Sequence, residues 1–348
     1  MASLRIAVVG PGLIGKEHIR LIQASRDCEL HAIVAPDHEP NHTVAKEHGV
    51  PIFHRIEDCL ATKDIDGIII SSPNEFHAEQ ASLCIEAGIP VLLEKPVTAS
   101  VAEGKALAEL VAEKGGKLLV GHHRAHSPLL ARAREIIGEG RLGTLVSVMG
   151  SAQFCKPAAY FEAGPWRTRR GGGPILINLI HEIGNLRTLC GEIVAVQAFS
   201  SSAIRRFEVE DTVAINLRFA NGVLGNFMLS DTAACARSWE QTSRENPSYP
   251  TYEDEDCYVI AGTRGYLSVP TFRIKLHAEG VEPSWWTPLE QSTLEVERKE
   301  PLSCQLAHFV EVIRGEAEPL VSAADGLRNL QITEAIARSS VEGRVIEV

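Results

Sequence analysis

Short β-branched runs alternate with helical patterns through the first third of the sequence, and this alternation limits the fold more than any other feature. The run LRIAVV (4–9) is followed by a helical pattern from about Leu13 to Ala24, and then by the strand-like run ELHAIV. The runs GIIISS, PVLLEKP and KLLVGHH come next, with helical patterns near 75–87 and 102–113 between them. Apolar strands separated by helices of this length predict a parallel sheet covered by helices on both faces.

Glycines follow the first predicted strand in the pattern GPGLIG, at Gly10, Gly12 and Gly15. In the dinucleotide-binding fold the first glycine makes a tight turn, the second lets the pyrophosphate approach the backbone, and the third allows close helix packing. The N-terminal end of the next helix favours phosphate charge. The loop therefore predicts a nucleotide site that also includes Leu13 and Ile14, although glycines end many strands as plain turns.

The second half of the nucleotide fingerprint departs from the usual pattern. An acidic residue normally ends the second strand and binds the ribose hydroxyls, but Ala35 holds that place and Asp37 comes two residues later. No arginine follows to bind the 2′-phosphate of NADP, and His38, His42 and Lys46 are weak substitutes. The cofactor is therefore predicted as NAD or NADP without a choice between them. Asp37 is either a ribose ligand or the start of the next helix.

Polar residues gather at the carboxyl ends of four predicted strands, the edge at which open α/β sheets bind ligands. They belong to GPGLIG, SSPNEFH (71–77), EKP (94–96) and GHHRAH (121–126). Together they predict a binding site. Besides the glycine loop, Ala35 and Asp37, we expect the cofactor to be contacted by Ser72, Pro73, Asn74, His77, Glu94 and Lys95.

Lys95 is the leading catalytic candidate. It follows an apolar strand and precedes Pro96, which restricts Lys95 to extended geometry and permits a cis bond. An oxidised nicotinamide is cationic, and a nearby like charge favours the neutral amine of a lysine. Such a lysine can exchange a proton with a substrate hydroxyl. The alternative is an ordinary solvated lysine beyond the end of a strand.

The pattern changes after His123, where short strand-like runs replace the alternation. VEDTVAINLRFANGVLGNFMLSD contains two alternating strands around Asn221-Gly222, which is a hairpin signal, and EIVAVQAFSSS, DCYVIAGTRGYLSVP and TFRIKLHA add further strands. The 348 residues are too many for one ordinary core. We therefore predict a Rossmann domain over residues 1–123 and an α+β domain for substrate binding and oligomerisation over residues 124–348.

Together these segments resemble the Gfo/Idh/MocA family, named after glucose-fructose oxidoreductase, inositol dehydrogenase and MocA. The resemblance is carried in order along the chain by GPGLIGKEHIRLI, SSPNEFHAE, LLEKPVTASVAEG, GHHRAHSP and GGGPILINLIHEIG. It implies an N-terminal Rossmann domain and a C-terminal α+β domain with a large, mainly antiparallel sheet. It also implies hydride transfer between NAD(P) and a carbinol of a sugar, cyclitol or related polyol, in dimers or tetramers formed through that sheet.

The resemblance assigns roles to two residues. Lys95 matches the acid/base lysine of the family, and His181 matches its active-site histidine, which we expect to bind and orient the substrate. Many members carry an aspartate four residues before that histidine, on the same helix face. Here Ile177 holds the position, and Asn178 points about 100° away on an ideal helix. Either Lys95 and His181 work without a carboxylate, or the chemistry is altered; His181 as a hydrogen-bonded core residue is the plainer alternative.

Arginines precede the histidine segment in PWRTRRGGGP (165–174). Because arginine binds carboxylates bidentately, they indicate an acidic substrate or the cofactor phosphates, although a solvated basic loop explains them equally well. The residues that we expect to bind the substrate are His123, Arg124, Trp166, Arg167, Asn178 and His181. No metal site is predicted, because His122, His123 and His126 lack ligands at matching spacing and hydride transfer needs no metal.

Composition argues against other classes of protein. The net charge is −11 and the basic residues are scattered, which disfavours nucleic-acid binding. No apolar run approaches the roughly 20 residues of a membrane span, and the start of the chain lacks a secretory signal pattern. The eight cysteines form no CxxC pair, so we expect them to be reduced and buried in a cytoplasmic protein.

The sequence therefore predicts an NAD(P)-dependent dehydrogenase that acts on a secondary alcohol of a sugar, cyclitol or polyhydroxy acid, as a homodimer or homotetramer. Two other functions stay open because of Ile177. One is dihydrodiol-type or retained-cofactor chemistry, and the other is a non-catalytic sensor of NAD(P) or a sugar.

Overall fold

The computed structural model describes residues 3–348, which form two compact units. The first unit holds the described residues up to His126 together with Pro301–Leu330, and the second holds Ser127–Glu300 together with Gln331–Val348. The predicted domains are continuous in sequence, whereas these units are not. The segment Pro301–Leu330 is tied to the first unit by backbone acceptors: Lys117 Nζ donates to Val312 O and Val120 N to Val321 O, both at 2.8 Å.

The strands and helices are numbered in chain order. The strands are β1 (Leu4–Val9), β2 (Cys28–Val34), β3 (Ile52–Phe53), β4 (Gly67–Ile70), β5 (Val91–Glu94), β6 (Leu118–Gly121), β7 (Leu145–Gln153), β8 (Ile193–Ser201), β9 (Thr212–Phe219), β10 (Leu224–Ser230), β11 (Tyr258–Gly262), β12 (Gly265–Val269), β13 (Arg273–Leu276), β14 (Glu290–Thr293) and β15 (Ile346–Glu347). The helices are α1 (Leu13–Ala24), α2 (Glu39–His48), α3 (Ile56–Ala61), α4 (His77–Glu86), α5 (Val101–Lys114), α6 (Pro128–Gly138), α7 (Ala158–Glu162), α8 (Ile180–Cys190), α9 (Trp239–Thr242), α10 (Pro301–Arg314) and α11 (Ala323–Glu342). Short 3₁₀ turns cover Asn74–Phe76, His123–His126 and Pro165–Thr168, and a π-helix covers Ile175–Leu179.

The first unit is built on a six-stranded parallel sheet with the order β3-β2-β1-β4-β5-β6. This is the order of the dinucleotide-binding Rossmann fold. Strands β4, β5 and β6 are buried along their whole length, as expected when helices cover both faces of a sheet. Each fully buried Ile or Leu contributes about 1.5–3 kcal/mol to stability. The parallel sheet predicted from the sequence is confirmed.

The second unit is built on a nine-stranded sheet with the order β14-β13-β12-β11-β7-β10-β9-β8-β15. All neighbouring strands are antiparallel except β7 and β10, which are parallel. The predicted hairpin joins β9 to β10 through Asn221 and Gly222, where Gly222 has a φ of +88° that favours glycine. The predicted mainly antiparallel sheet is confirmed, and its parallel pair brings the residues after β7 and after β10 to the same edge.

Two predictions from composition concern the state of the cysteines and the absence of a membrane span. All eight cysteines are free, and five of them are buried. Cys155 is exposed and Cys235 and Cys304 are half-buried, so the prediction of burial is wrong for these three. Between residues 3 and 348, none of the helices is both long enough and apolar enough to cross a membrane.

Candidate active site

The glycine loop of the first unit has the shape that a dinucleotide requires. Gly10 has a φ of +79°, and a Cβ there would lie 2.8 Å from Ser72 N. A Cβ on Gly15 would lie 2.2 Å from Gly10 O, so only glycine allows α1 to approach the loop this closely. Gly12 begins α1 without a side-chain cap and would place a Cβ in open space. The uncapped helix start and the space at Gly12 fit a pyrophosphate.

A cavity of about 400 Å³ lies beside this loop at the end of β2, the place where the Rossmann fold binds the ribose of adenosine. Its lining includes Gly10, Ala35, His54, Arg55, Ser72 and Pro73. Ala35 is buried at the end of β2. Asp37 does not cap the next helix, because the N-cap of α2 is His38 and receives no side-chain bond. The helix-start interpretation of Asp37 is therefore wrong.

Asp37 instead belongs to an exposed group with two histidines. His42 Nε2 lies 2.7 Å from Asp37 Oδ1 and His54 Nε2 lies 4.0 Å from it. The hydrogen bond from His42 and the charge of His54 lower the pKa of Asp37. One ligand atom from each residue falls within 4.8 Å of the others, a spacing that could hold a metal ion and that the sequence prediction did not include.

Arg55 is a cofactor candidate that sequence reasoning missed. Strand β3 pairs with β2 through Ile33–Ile52 and Val34–Phe53, which carries the residues after β3 to the end of β2. His54 Nδ1 lies 3.1 Å from Ala35 O, and Arg55 lines the same cavity. An arginine thus stands near the position of the missing acidic residue, although 20 residues separate it from Ala35 along the chain. Its guanidinium is the group that best fits a 2′-phosphate.

Strand β5 presents Glu94 and Lys95 at the same edge of the sheet. Glu94 is buried, and its Oε1 lies 2.9 Å from His18 Nε2 on α1. Burial opposes ionisation of Glu94, but the hydrogen bond of His18 and the charges of His18, Lys95 and His123 together bring its pKa below the usual value. Glu94 Oε2 accepts from Lys95 N at 3.3 Å, and the Lys95–Pro96 peptide bond is cis. The backbone N–H of Lys95 is therefore held by the side chain of Glu94.

His77 ties two of the loops together. Its Nδ1 lies 2.8 Å from Pro96 O and its Nε2 lies 3.0 Å from Ser72 O. Burial lowers the pKa of His77 in spite of these carbonyl groups, and a neutral ring can donate to only one of them at a time. The bonds connect SSPNEFH with EKP, so in the structure His77 positions loop backbone. Asn74 lies at the start of the intervening 3₁₀ turn.

The residues after β6 are mostly enclosed in the first unit. His123 and Arg124 lie in a 3₁₀ turn, and Arg124 is 3% exposed. Burial, together with the charges of His308 and His123, lowers the pKa of His126 to about 3, and its ring lies 5.1 Å from that of His308. Burial of Arg124 limits the contacts that it can offer a substrate, whereas His123 is half-buried.

In the second unit, polar residues gather where the parallel strands β7 and β10 end. Lys156 follows β7 and Asp231 follows β10, and Lys156 N donates to Asp231 O at 2.9 Å. Their side chains are 10% and 3% exposed, with Nζ 3.7 Å from Oδ2. Arg205 Nε donates to the other carboxylate oxygen of Asp231 at 2.7 Å. The sequence patterns did not single out Lys156, because nothing in FCKP marks its lysine as buried.

The predicted site helix begins with a π-helix over Ile175–Leu179, which leads into α8. π-turns are rare and occur frequently at functional sites. Lys156 Nζ donates to Asn178 Oδ1 at 2.7 Å, while Ile177 is half-buried. The angle of about 100° expected between Ile177 and Asn178 assumed α-helical geometry, whereas this segment is a π-helix.

Gly173, the last of the three glycines before the π-helix, makes room for a carboxyl group. Gly173 has a φ of +83°, and a Cβ there would lie 2.7 Å from Glu210 Oε1. The same oxygen accepts from Ile175 N at 2.9 Å at the start of the π-helix. Burial raises the pKa of Glu210, and Asp231 adds to the effect, while Ile175 N–H and Lys156 oppose it. Glu210 is a second site candidate that the sequence patterns did not indicate.

His181 lies in the first turn of α8 and is 7% exposed. The next residue, Glu182, accepts a hydrogen bond from Tyr258 Oη, and Asn185 Nδ2 donates to the same hydroxyl at 3.0 Å. This buried network holds the turn that carries His181. Arg167 donates to Tyr160 O and lies over the Tyr160 ring at 3.9 Å, and Trp166 is 56% exposed.

Comparison with known proteins shows the family to which the chain belongs. Residues 4–122 match the model of an oxidoreductase family with an NAD-binding Rossmann fold, and residues 130–268 match the GFO/IDH/MocA C-terminal domain. The chain belongs to the Gfo/Idh/MocA family. The resemblance drawn from the sequence is confirmed, and with it the class of NAD(P)-dependent oxidoreductases that act on alcohol groups.

Relatives align along the whole chain at low identity. The inositol 2-dehydrogenase of Rhizobium meliloti is 24% identical over 99% of both chains. The levoglucosan dehydrogenase of Pseudarthrobacter phenanthrenivorans is 25% identical over 100% of this chain and 99% of its own. The WlbA dehydrogenase from Bordetella pertussis, solved in complex with NADH and UDP-GlcNAcA, is 25% identical with a TM-score of 0.78 and covers 100% of this chain and 99% of its own.

Proposed function

We propose that this oxidoreductase moves a hydride between NAD(P) and a secondary alcohol of a sugar, cyclitol or polyhydroxy acid, with Lys95 as the acid/base. The observation that carries the proposal is the position of Lys95. It follows buried Glu94 at the end of β5, and Glu94 is bonded to α1, the helix that begins at the glycine loop. A lysine held in this way beside a dinucleotide loop is suited to proton transfer.

The cofactor would be held by the glycine loop, with Leu13 and Ile14, by Ala35 and Asp37 at the ribose, and by Ser72, Pro73 and Asn74. When bound, it supplies or accepts the hydride. In oxidation, the neutral amine of Lys95 takes the hydroxyl proton as the C–H hydride leaves; in reduction, the ammonium returns it. His181 binds and orients the reacting oxygen, and His123 and Trp166 are proposed as further substrate contacts.

The test is absorbance at the nicotinamide band with both NAD⁺ and NADP⁺, over a panel of sugars, cyclitols and hydroxy acids. A rise with at least one alcohol is the expected result, and it would show that proton transfer does not need a carboxylate at Ile177. No rise, despite measured cofactor binding, would favour the sensor. Nucleotide that stays bound through purification would favour retained-cofactor or dihydrodiol-type chemistry.

We also propose a cytoplasmic homodimer or homotetramer with no nucleic-acid or membrane partner. Four large apolar side chains lie on the outer side of the nine-stranded sheet, each more than a third exposed: Met149, Phe199, Leu224 and Met228. Exposed apolar residues that cluster on one face of a sheet are typical of a protein interface. Light scattering coupled to gel filtration should give a mass of two or four chains, and replacing Phe199 and Leu224 by Ser should lower it. A monomer at micromolar concentration would contradict this.

A further inference from the structure

We propose that Lys156 and Asn178 bind a carboxylate of the substrate, so that the preferred substrate is a polyhydroxy acid rather than a neutral polyol. The inference rests on the proposed function and narrows its substrate class. Both residues lie in the second unit, and the contacts that support the proposal are internal to that unit.

The ammonium of Lys156 has donors that its surroundings do not use. The side chain is only 10% exposed, and an ammonium carries three N–H groups. One donates to Asn178 Oδ1 at 2.7 Å, while Asp231 Oδ2 lies at 3.7 Å, beyond hydrogen-bond distance. The ring of Tyr160 lies at 4.8 Å. Lys156 is therefore ion-paired with Asp231, a carboxylate that it shares with Arg205, and its one short hydrogen bond goes to a neutral acceptor, so a second anionic partner would stabilise this buried ammonium.

The charged groups around Lys156 leave an excess of positive charge. Arg205 and Arg167 are the neighbouring cations, and Asp231 and Glu210 are the neighbouring anions. Asp231 is already bonded to Arg205 at 2.7 Å. Glu210 is bonded to Ile175 N, and burial raises its pKa, which weakens it as a counter-ion. A bound carboxylate would balance the charge of Lys156.

Asn178 supplies a second donor at the same place. Because an ammonium can only donate, the carbonyl oxygen of Asn178 must face Lys156, and the NH₂ on the same amide carbon is left to donate beside it. Within residues 3–348 that NH₂ has no hydrogen-bond acceptor, and the side chain is half-buried. The two nitrogens therefore offer a two-point contact to the two oxygens of a carboxylate.

Ile177 fits the same explanation. An aspartate at that position would place a negative charge one residue from Asn178 and would repel an anionic ligand. Ile177 offers a neutral substrate neither a charge nor a hydrogen bond at this position. It therefore favours a substrate that carries a carboxylate. The substitution, which the sequence alone leaves unexplained, becomes part of substrate selection.

The pH dependence of binding separates this role from a structural one. Burial, together with Arg205 and Arg167, lowers the pKa of Lys156 to about 8 in spite of Asp231. The ammonium that binds a carboxylate is therefore lost as the pH rises through about 8. The KM for an acid should rise over this range, whereas the KM for a neutral polyol should not change.

The experiment compares aldonates, uronates and aldarates with neutral sugars and cyclitols, using wild type, Lys156→Met, Lys156→Arg and the control Lys275→Met. Lys275 is a half-buried lysine over Tyr266 on β13, away from the cluster. We expect turnover of at least one acid, with a KM that Lys156→Met raises by about 10- to 100-fold. In Lys156→Arg, the KM for the acid should stay low and should no longer rise near pH 8. Lys275→Met should match wild type.

Preference for neutral polyols, or an unchanged KM for acids in Lys156→Met, would overturn the proposal. If no alcohol is oxidised, the proposed function fails, and calorimetric titration of the same acids into the protein with NAD(P)H tests the binding site by itself. Binding that Lys156→Met abolishes would support the site, and no binding, or equal binding by both proteins, would overturn it. Circular dichroism of each variant, with Lys156→Arg as the rescue, separates loss of binding from loss of folding.

Discussion

Glu94 Oε1 lies 2.9 Å from His18 Nε2 in a buried pair that joins the end of β5 to α1. Glu94 immediately precedes Lys95, and His18 follows the glycine loop by one turn of helix. The pair therefore fixes the proposed acid/base residue relative to the proposed phosphate site. This bond joins the helix that follows the glycine loop to the EKP motif, although the two are far apart in sequence.

Removing His18 should destabilise the fold strongly. His18→Ala leaves a buried carboxylate without its partner, which costs about 3–5 kcal/mol. We expect this loss in urea unfolding, and we expect the double variant with Glu94→Gln to lose less than the sum of the single variants. Strict additivity would show that the two side chains do not interact.

Glu94 should also make stability depend on acid pH. Its pKa in the fold is below the usual value of 4.5, so its carboxylate stabilises the fold above pH 4.5, and this stabilisation is lost as the pH falls through the lower folded pKa. Unfolding free energies measured between pH 3 and 7 should therefore fall more steeply at the acid end for wild type than for Glu94→Gln. Parallel curves would contradict the lowered pKa.

Lys95→Ala tests the proposed acid/base role. General acid–base groups contribute about 10²- to 10⁴-fold, so kcat should fall by this factor. The Kd for the reduced cofactor, from fluorescence titration, should change by less than about fivefold, because the glycine loop supplies the phosphate contacts. Lys105→Ala, on the exposed side of α5, is the matched control and should behave as wild type. A variant that keeps most of its rate would exclude Lys95 as the acid/base.

Patterns of neighbouring residues predicted most of the fold. The bounds of α1 agree with the helical pattern from Leu13 to Ala24, because the apolar period and the glycine loop that sets its start are local. The glycine loop and Lys95 were found for the same reason, since both follow apolar strands in sequence.

Residues that the sheet brings together from a distance were not predicted. Arg55 reaches the end of β2 only through the pairing of β2 with β3. Lys156 meets Asp231 because β7 and β10 are parallel, and it meets Asn178 in the π-turn that begins the site helix. A π-turn has no sequence signature in the patterns used for helices. The role of Pro301–Leu330 in the first unit likewise depends on contacts with β6 and the residue before it, nearly 200 residues away.

Arg55 should favour NADPH over NADH. Its guanidinium borders the adenosine cavity beside Ala35, where it donates to Glu57 Oε1 at 2.6 Å, so binding of a 2′-phosphate would replace this exposed carboxylate as the partner of Arg55. Arg55→Ala should weaken NADPH binding by about tenfold, the loss expected for one charged hydrogen bond, and leave NADH within about twofold. Arg26→Ala, before the opposite end of β2, is the control. Equal weakening of both cofactors, or tighter binding of NADH by wild type, would show that Asp37 and not Arg55 selects the cofactor.

Gly173→Ala tests the start of the π-helix. The φ of +83° costs an alanine about 1–2 kcal/mol, and the new Cβ would also press on the Glu210 carboxylate that holds Ile175 N. Gly49→Ala is the matched control, because Gly49 has a φ of +69° and open space around the position of a Cβ. Its free energy of unfolding should therefore fall only by the cost of the backbone strain.

A Glu210→Ala background removes the carboxylate that the Cβ of Gly173→Ala would press on. In that background Gly173→Ala should cost no more stability than Gly49→Ala. If Gly173→Ala in the wild-type background already costs no more than Gly49→Ala, Glu210 does not set the start of the π-helix. If Gly173→Ala costs more stability than Gly49→Ala and also raises the KM for the substrate, the Glu210 carboxyl group positions Asn178. It does so by accepting the hydrogen bond of Ile175 N at the start of the π-helix.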